Sequence, residues 1–176
     1  MKKIFVLISI MIVITSGFFS GCIKSGEGIL VLKITDDPDY NITEALVTIS
    51  EVAVHYAGIN NTDSNDTFGE WITVVNISKT FDLIALQNVS ELFGIANLTA
   101  GWYTQIRLYI ESANITIDGV KYDLKIPSKN IKLINPFNIQ DGNVTTLTLD
   151  FDVQKSVHET GYNKYIFKPT IKVIEG

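Results

Sequence analysis

The sequence predicts an all-β protein, an antiparallel β-sandwich of about eight or nine strands. Short apolar stretches alternate with polar residues at a period of two, and clusters of Asn, Asp and Gly separate them. No ten-residue segment after residue 21 has the apolar spacing of a helix. Strand patterns this frequent, in a chain of this length, favour two packed sheets.

The first strand patterns occupy residues 29–35 and 45–56. The first is a nearly continuous apolar run, as expected of a buried strand. The second alternates but changes parity, since Val52 and Val54 are out of step with Val47. A one-residue shift within a strand predicts a β-bulge, which we expect near residues 50–51.

The middle of the chain mixes strand, loop and irregular patterns. Residues 60–69 are rich in Asn, Asp, Ser and Thr and predict a long loop, after which residues 71–77 return to a strand pattern. Residues 80–87 and 90–95 do not alternate cleanly, so we expect the only helical turns there.

Residues 103–110 alternate cleanly and predict a strand with two distinct faces. One face carries Thr104, Ile106, Leu108 and Ile110, and the other carries Tyr103, Gln105, Arg107 and Tyr109.

Two Asp-Gly dipeptides, Asp118-Gly119 and Asp141-Gly142, each separate two strand patterns. Asp-Gly favours the primed turns of tight hairpins, because both residues tolerate positive φ. We therefore expect two hairpins, joining residues 115–117 to 120–126 and residues 137–139 to 144–153. The last strand pattern, residues 165–173, contains Pro169, which predicts a sheet edge or a bulge.

The first 22 residues have the layout of a secretory leader. Lys2 and Lys3 precede an apolar stretch at residues 4–14, and small residues then lead to Cys22, the only cysteine of the chain. A small-small-Cys ending is typical of leaders that are cleaved before a cysteine that becomes lipidated. We expect three segments, which are a signal peptide at residues 1–21, a lipidated tether at 22–27 and a β-sandwich domain at 28–175.

This leader predicts a domain on the extracytoplasmic face of the cell membrane, attached through a lipid anchor at Cys22. The apolar stretch of residues 4–19 has 16 residues, fewer than the roughly 20 that cross a bilayer as a helix. A single-pass signal-anchor stays open as the alternative, because local thinning of the bilayer accommodates a short helix.

Eight asparagines occupy Asn-x-Ser/Thr triplets and are candidate N-glycosylation sites: Asn41, Asn60, Asn65, Asn76, Asn88, Asn97, Asn114 and Asn143. The chain has 13 Asn, and 27 of its 176 residues are Ser or Thr, so a random order would give about two such triplets. Two explanations stay open. Either some sites are glycosylated outside the membrane, or Asn-rich turns adjoin Thr-rich strands and produce the triplets by geometry.

The charge of the chain excludes nucleic acid as a partner. The net charge is −5, and removal of residues 1–21 with their two lysines makes it about −7. Phosphate binding needs clustered cations, whereas this chain has one arginine, Arg107. With no cysteine after Cys22, no intrachain disulfide can form, so the core must be stable without one.

A series of motifs runs through residues 28–173. They are Thr35-Asp36-x-Pro38, Trp71, Asp82-Leu83, Leu86-Gln87-Asn88, Gly101-x-Tyr103-Thr104-Gln105-Ile106-Arg107-Leu108, Lys132-Leu133, Pro136-Phe137, Leu147-x-Leu149-Asp150-Phe151-Asp152, Lys155-Ser156-Val157 and Lys168-Pro169. In these motifs the chain resembles domain of unknown function family 4382. The resemblance implies a secreted, often lipid-anchored bacterial or archaeal domain of unassigned activity, and it supplies no catalytic residue.

A second resemblance is shorter. Leu98-Thr99-Ala100-Gly101-x-Tyr103 is similar to the turn into a strand of prealbumin-like, carbohydrate-binding-like sandwiches. That similarity implies a prealbumin-like arrangement of the strands.

Five acidic residues form a candidate cation or ligand cluster: Asp36, Asp37, Asp39, Asp150 and Asp152. The first three follow the first strand, and the last two share one face of a later strand. If those strands meet, the carboxylates could bind Ca²⁺ or serve a metal-dependent hydrolase. The alternative is structural: the first group bonds turn amides, and the second pairs with Lys155, Lys168 or Arg107.

Other candidate side chains are few. His55 and His158 are the only histidines and do not form a metal-spaced pair, so we expect His55 to be a solvated or hydrogen-bonded strand residue. Four aromatic residues are candidates for stacking against sugars, with core packing as the alternative: Trp71, Trp102, Tyr103 and Tyr109.

These features together predict a non-enzymatic binding or adhesion module for a glycan or an envelope partner, requiring no cofactor other than a possible calcium ion. Two alternatives remain, a calcium-dependent hydrolase or cation-binding domain that uses the acidic cluster, and a structural envelope spacer.

Overall fold

The computed structural model describes residues 26–36, 42–59 and 69–176. Within these residues the chain forms eleven strands, one short α-helix, α1 (Val153–Ser156), and a 3-10 turn at Ile84–Leu86. The strands are β1 (Glu27–Asp36), β2 (Glu44–Gly58), β3 (Glu70–Asp82), β4 (Glu91–Thr99), β5 (Gly101–Ile117), β6 (Val120–Lys125), β7 (Asn130–Ile139), β8 (Val144–Phe151), β9 (Val157–Gly161), β10 (Lys164–Phe167) and β11 (Ile171–Glu175).

The strands form two sheets, which confirms the predicted all-β sandwich with more strands than expected. The smaller sheet has the order β11-β8-β1-β4, and the larger has the order β3-β2-β5-β6-β10-β9, with β7 also paired to β5. Alternating strand residues from both sheets meet in one buried core. It includes Leu30, Leu32, Ile34, Ile49, Val52, Val54, Ile106, Leu108, Ile110, Leu147, Leu149 and Phe151.

The expectation of purely antiparallel pairing is wrong at two places. β1 runs parallel to β8, and β6 runs parallel to β10. In the first case the cause is visible in the connection: the chain leaves the larger sheet after β7 and enters the smaller one beside the start of β1. There the Ile29 N–H donates to the carbonyl oxygen of Asn143 at 2.9 Å. Two strands that start at the same end of a sheet are parallel.

Bulges change which side chains reach the core. The register of β2 on β3 shifts between Ile49 and Glu51, which confirms the predicted bulge. The register of β5 on β7 shifts between Tyr103 and Gln105, so Tyr103 is fully buried instead of sharing the outer face with Arg107. The expected face assignment of Tyr103 and Thr104 is therefore wrong, because the bulge inverts the alternation.

The irregular residues 80–95 divide differently from expectation. A helical turn does form at Ile84–Leu86, but residues 90–95 belong to the edge strand β4. Only Phe93 among the first residues of β4 is buried, while Leu92 and Ile95 are exposed, so the sequence shows no alternation. Phe93 packs edge-on against Phe81, with the two ring centroids 5.0 Å apart. The backbone of β4 pairs with β1, and this pairing defines the strand.

The two Asp-Gly turns have different outcomes. Asp118 and Gly119 both have positive φ, 50° and 76°, and connect the paired strands β5 and β6, which confirms the first hairpin. Asp141-Gly142 also forms a turn, in which the Asn143 N–H donates to the carbonyl oxygen of Gln140 at 3.2 Å. The prediction of a second hairpin is nevertheless wrong, because β7 and β8 belong to different sheets.

The last strand pattern is also divided between the sheets. Pro169 lies in the gap between β10, in the larger sheet, and β11, at the edge of the smaller one. Proline lacks the N–H that a continuous strand would need, so the chain changes sheet at this residue.

Candidate binding site

The predicted acidic cluster does not converge within the described residues. β1 and β8 do meet, but Asp36 faces the core at 3 % exposure and accepts a hydrogen bond from the Val153 N–H at 3.2 Å. Asp150 lies on the outer face of the same sheet. Asp37 and Asp39 lie outside the described residues. The three described carboxylates therefore occupy different environments, and the described part of the chain contains no group of three or more potential metal ligands from His, Cys, Asp and Glu.

Asp152 is a helix cap and not the strand residue expected from the sequence. It precedes α1, and its carboxylate accepts a hydrogen bond from the Lys155 N–H at 2.9 Å and pairs with Lys155 Nζ. Burial raises the pKa of Asp152, but the hydrogen bonds and the charge of Lys155 outweigh burial and hold the pKa below its ordinary value. This confirms the predicted pairing with Lys155.

Asp150 and Asp152 line one shallow depression of about 250 Å³, which we call the paired-charge depression. Its other lining residues are Lys155, Thr170, Ile171 and Lys172. Two carboxylates and two ammonium groups share this surface, and the Asp152–Lys155 pair holds the turn that leads out of β8. Asp152 and Lys155 thus form a helix cap and an ion pair that stabilise this turn, which is a structural role.

The candidate glycosylation sites differ in exposure. Asn76, Asn88, Asn97 and Asn143 are exposed, and Asn88 has a positive φ of 60°, as a turn residue. Asn114 lies within the last four residues of β5, with its Oδ1 atom buried and without a hydrogen-bond partner among the described residues. Asn41, Asn60 and Asn65 lie outside the described residues.

The expected leader, Cys22 and most of the tether also lie outside the described residues. Among the residues that the structure does describe, no helix is both long and apolar enough to cross a membrane.

A second depression, of about 190 Å³, lies on the outer face of the larger sheet. We call it the open-charge depression, and it is lined by Glu51, Ala53, Trp71, Thr73, Arg107, Leu108, Tyr109 and Asn130. Strand register brings these residues together, since Ala53 of β2 pairs with Thr73 of β3 on one side and with Arg107 of β5 on the other. A small side chain between two larger ones leaves the surface concave.

Arg107 lies over the ring of Trp71 in this depression. The guanidinium carbon is 3.7 Å from the centroid of the Trp71 ring, a cation–π contact. The Nε atom of Arg107 is buried and has no hydrogen-bond partner among the described residues. His55, on the neighbouring strand, also contacts Trp71, with the centroids of the two rings 4.9 Å apart. His55 Nδ1 is 2.9 Å from Thr104 Oγ1, a hydrogen-bond distance. His55 is therefore a hydrogen-bonded strand residue, as predicted.

The opposite wall of the depression is acidic and aromatic. Glu51 accepts a long hydrogen bond from Thr73 Oγ1 at 3.4 Å, and within the described residues it forms no ion pair. Tyr109 and Asn130 are paired across β5 and β7, and Lys129 Nζ is 5.9 Å from the Tyr109 ring centroid. The depression therefore offers a cation that is stacked on Trp71 but forms no ion pair with a described residue, together with a carboxylate, an amide and the Tyr109 ring.

The sequence alone identified parts of this site but not the whole. Arg107 and Tyr109 were expected on one strand face, and Trp71 and Tyr109 were candidate stacking residues. Glu51 and Asn130 were missed, because they come from other strands and only the register shows that they adjoin Arg107. Of the four candidate aromatic residues, Tyr103 is buried in the core, and Trp102 does not line this depression.

A family model described as Domain of unknown function (DUF4382) matches residues 27–169, most of the chain. The chain belongs to this family. The family resemblance in the sequence motifs is thereby confirmed. No curated protein and no solved structure matches the chain. The similarity to prealbumin-like sandwiches therefore stays a prediction.

The structure explains the motif on which that second similarity depends. The Tyr103 hydroxyl donates to the carbonyl oxygen of Thr99 at 2.9 Å and closes the turn between β4 and β5. Burial, and next the nearby Tyr56 and Glu70, raise the pKa of Tyr103 far above its ordinary value, so it remains a neutral donor. Gly101 has a φ of +146°, and an added Cβ there would lie 2.7 Å from the carbonyl oxygen of Gly58.

Proposed function

We propose that this protein is a membrane-anchored, extracytoplasmic binding module without catalytic activity, and that it holds a glycan or another envelope polymer in the open-charge depression. The observation that carries the proposal is the combination of Trp71, Arg107, Tyr109 and Glu51 in one concave surface. Aromatic faces stack on sugar rings, and charged or amide groups bond the hydroxyls around those rings.

The size of the depression favours one unit of a polymer over a separate small molecule. Pockets for drug-sized ligands usually have about 300–1,000 Å³, whereas this depression has about 190 Å³. It is also open to solvent on the face of a sheet, where a long chain can continue in both directions. We expect modest affinity for one unit, with several anchored copies strengthening attachment to a polymer.

The hydrolase alternative has less support. Asp36 and Asp150 are on opposite faces of their sheet, and Asp152 is engaged with Lys155. A pair of catalytic carboxylates would need to face one substrate.

The binding proposal is tested with a screen of neutral and acidic polysaccharides and envelope fractions, using the full chain in detergent. We expect at least one glycan to be retained by the wild type and lost by Trp71→Ala. The matched control is Trp102→Ala, which removes the other tryptophan outside the depression and should bind like the wild type. A chain that retains none of these polymers would contradict the proposal and favour the spacer role.

The anchor is tested separately by mass spectrometry of protein extracted from membranes. We expect the chain to begin at Cys22 and to carry a lipid. An unmodified Cys22 still attached to residues 1–21 would contradict lipidation and favour the signal-anchor.

Glycosylation is tested on the same material. If an N-glycosylation system modifies the folded domain, we expect occupied sites among Asn76, Asn88, Asn97 and Asn143, where the side chains are exposed. Asn114 should remain unmodified, because it lies within β5 and its side-chain oxygen is buried. Unmodified peptides at all eight sites would favour the geometric origin of the triplets.

A further inference from the structure

We infer that the ligand of the open-charge depression carries a carboxylate, as a uronic acid unit of a glycan does, and that Arg107 binds this carboxylate through its guanidinium. The inference rests on the proposed function, because it specifies the chemistry of the ligand for the same site.

Arg107 has donors that no described residue accepts. A guanidinium has five N–H donors, and no described residue accepts a hydrogen bond from Arg107 or forms an ion pair with it. Most buried polar atoms in proteins have a partner, so a buried Nε without one is a position at which a ligand oxygen would be favourable. The contact with the Trp71 ring restrains the guanidinium, so it loses little freedom on binding.

The charges around Arg107 favour an anion. Lys132 of β7 is the strand partner of Arg107, and Lys129 lies near the Tyr109 ring. Among the described residues, Glu51 is the only carboxylate that lines the depression. Arg107 and Glu51 are thus the charged residues that line the depression, and the two lysines beside them add positive charge at its margin.

The remaining groups favour a sugar over an acidic peptide. Glu51 is an acceptor suited to the hydroxyl groups of a sugar, and Asn130 provides both a donor and an acceptor. Tyr109 adds apolar ring surface to the same depression, and the Trp71 ring supports the guanidinium of Arg107. Planar carboxylates also match the fork of a guanidinium better than the tetrahedral oxygens of a sulfate ester do.

The test compares two forms of one polymer. Polygalacturonate and its fully methyl-esterified form have the same backbone, and only the first has carboxylates. Binding to the full chain in detergent is measured by calorimetry at low and moderate salt. We expect the wild type to bind polygalacturonate at least about tenfold more tightly than the ester, a ratio typical of a charged hydrogen bond.

Two variants and one control locate the effect. Arg107→Gln should lose the preference for the acid form, and Arg107→Lys should recover only part of it, because lysine lacks the planar fork. Lys121→Gln removes an exposed charge on β6 outside the depression and should bind like the wild type. Unchanged thermal melting of each variant shows that it is folded.

The outcomes separate the inference from the proposed function. Equal binding of both polymer forms, with no effect of Arg107→Gln, would overturn the inference and leave glycan binding intact. Equal binding of poly-L-glutamate would overturn the assignment to a sugar. Failure to bind polygalacturonate would also overturn the inference, and the polysaccharide screen would then decide the proposed function independently.

Discussion

The two depressions of this domain both contain acidic and basic residues, but their charges are used differently. In the paired-charge depression, Asp152 and Lys155 bond each other through a side chain and through the backbone. In the open-charge depression, Glu51 and Arg107 form no ion pair with any described residue. The first arrangement stabilises a turn, and the second leaves both groups available to a ligand.

The difference follows from where the residues are in the chain. Asp152 and Lys155 are three apart in one turn of helix, so local geometry brings them together. Glu51 pairs with Tyr109 and Ala53 pairs with Arg107, which makes Glu51 and Arg107 diagonal neighbours on adjacent strands. Arg107 lies on Trp71 instead of reaching Glu51. Proximity in a sheet therefore does not by itself pair opposite charges.

The largest effect on stability is expected beside the paired-charge depression, at Ser156. This residue is fully buried, and its hydroxyl donates to the carbonyl oxygen of Asp152 and accepts from the Thr170 N–H at 2.9 Å. Ser156→Ala removes both hydrogen bonds and should lower the free energy of unfolding by about 2–3 kcal/mol. Thermal denaturation should show a loss of several degrees, while glycan binding remains unchanged.

The control for this variant is Ser78→Ala, because Ser78 is exposed and its hydroxyl bonds, among the described residues, only the side chain of Glu111. It should change the free energy of unfolding by less than about 0.5 kcal/mol. Equal effects at Ser156 and Ser78 would show that the turn after β8 is not a stabilising element.

An intermediate effect is expected at the helix cap. Asp152→Ala should cost about 1 kcal/mol, because it removes the acceptor for the Lys155 N–H, and Asp152→Asn should recover most of it by keeping that acceptor. Chemical denaturation measures both values at neutral pH.

The same cap predicts a pH dependence. The pKa of Asp152 is lowered in the folded state. Its contribution to the free energy of unfolding is therefore complete above the ordinary pKa of 3.8 and is lost as the pH falls below that value. The Asp152→Ala variant should therefore lose less stability than the wild type between neutral and acidic pH. A parallel loss in both proteins would contradict the role assigned to the Lys155 contacts.

The smallest effect is expected in the open-charge depression. A double-mutant cycle with Glu51→Gln and Arg107→Gln should give a coupling free energy within about 0.3 kcal/mol of zero, since the two groups do not contact each other. The matched cycle with Asp152→Asn and Lys155→Met should give a larger coupling, about 0.2–1 kcal/mol for a pair of which one member is exposed. A stronger coupling for Glu51 and Arg107 would remove the contrast between the depressions.

Features set by neighbouring residues were predictable from the sequence. The parity change near residue 50 predicted the bulge in β2, and Asp118-Gly119 predicted the hairpin whose two strands directly adjoin it. Asp141-Gly142 shows the limit of this reasoning. The dipeptide specifies a turn, but the partners of β7 and β8 are chosen by their fit to β5 and β1, far away in the chain.

The candidate site was predictable only in part for the same reason. Alternation along one strand placed Arg107 and Tyr109 on one face. Trp71, Glu51 and Asn130 reach that face from three other strands, and a register shift of one residue in any of them would turn its side chain to the opposite face. The bulge at Tyr103 is an example, since it moved a candidate stacking residue into the core.

The most direct test of the central claim uses the two tryptophans as reporters. Trp71 lines the open-charge depression and Trp102 does not, so Trp102→Phe leaves a chain whose fluorescence reports on the site, and Trp71→Phe leaves a matched control. We expect titration with the polymer selected in the binding screen to change the emission of the Trp102→Phe protein in a saturable way and to leave the Trp71→Phe protein unchanged. A saturable change in the Trp71→Phe protein alone would place the binding site elsewhere and contradict the account.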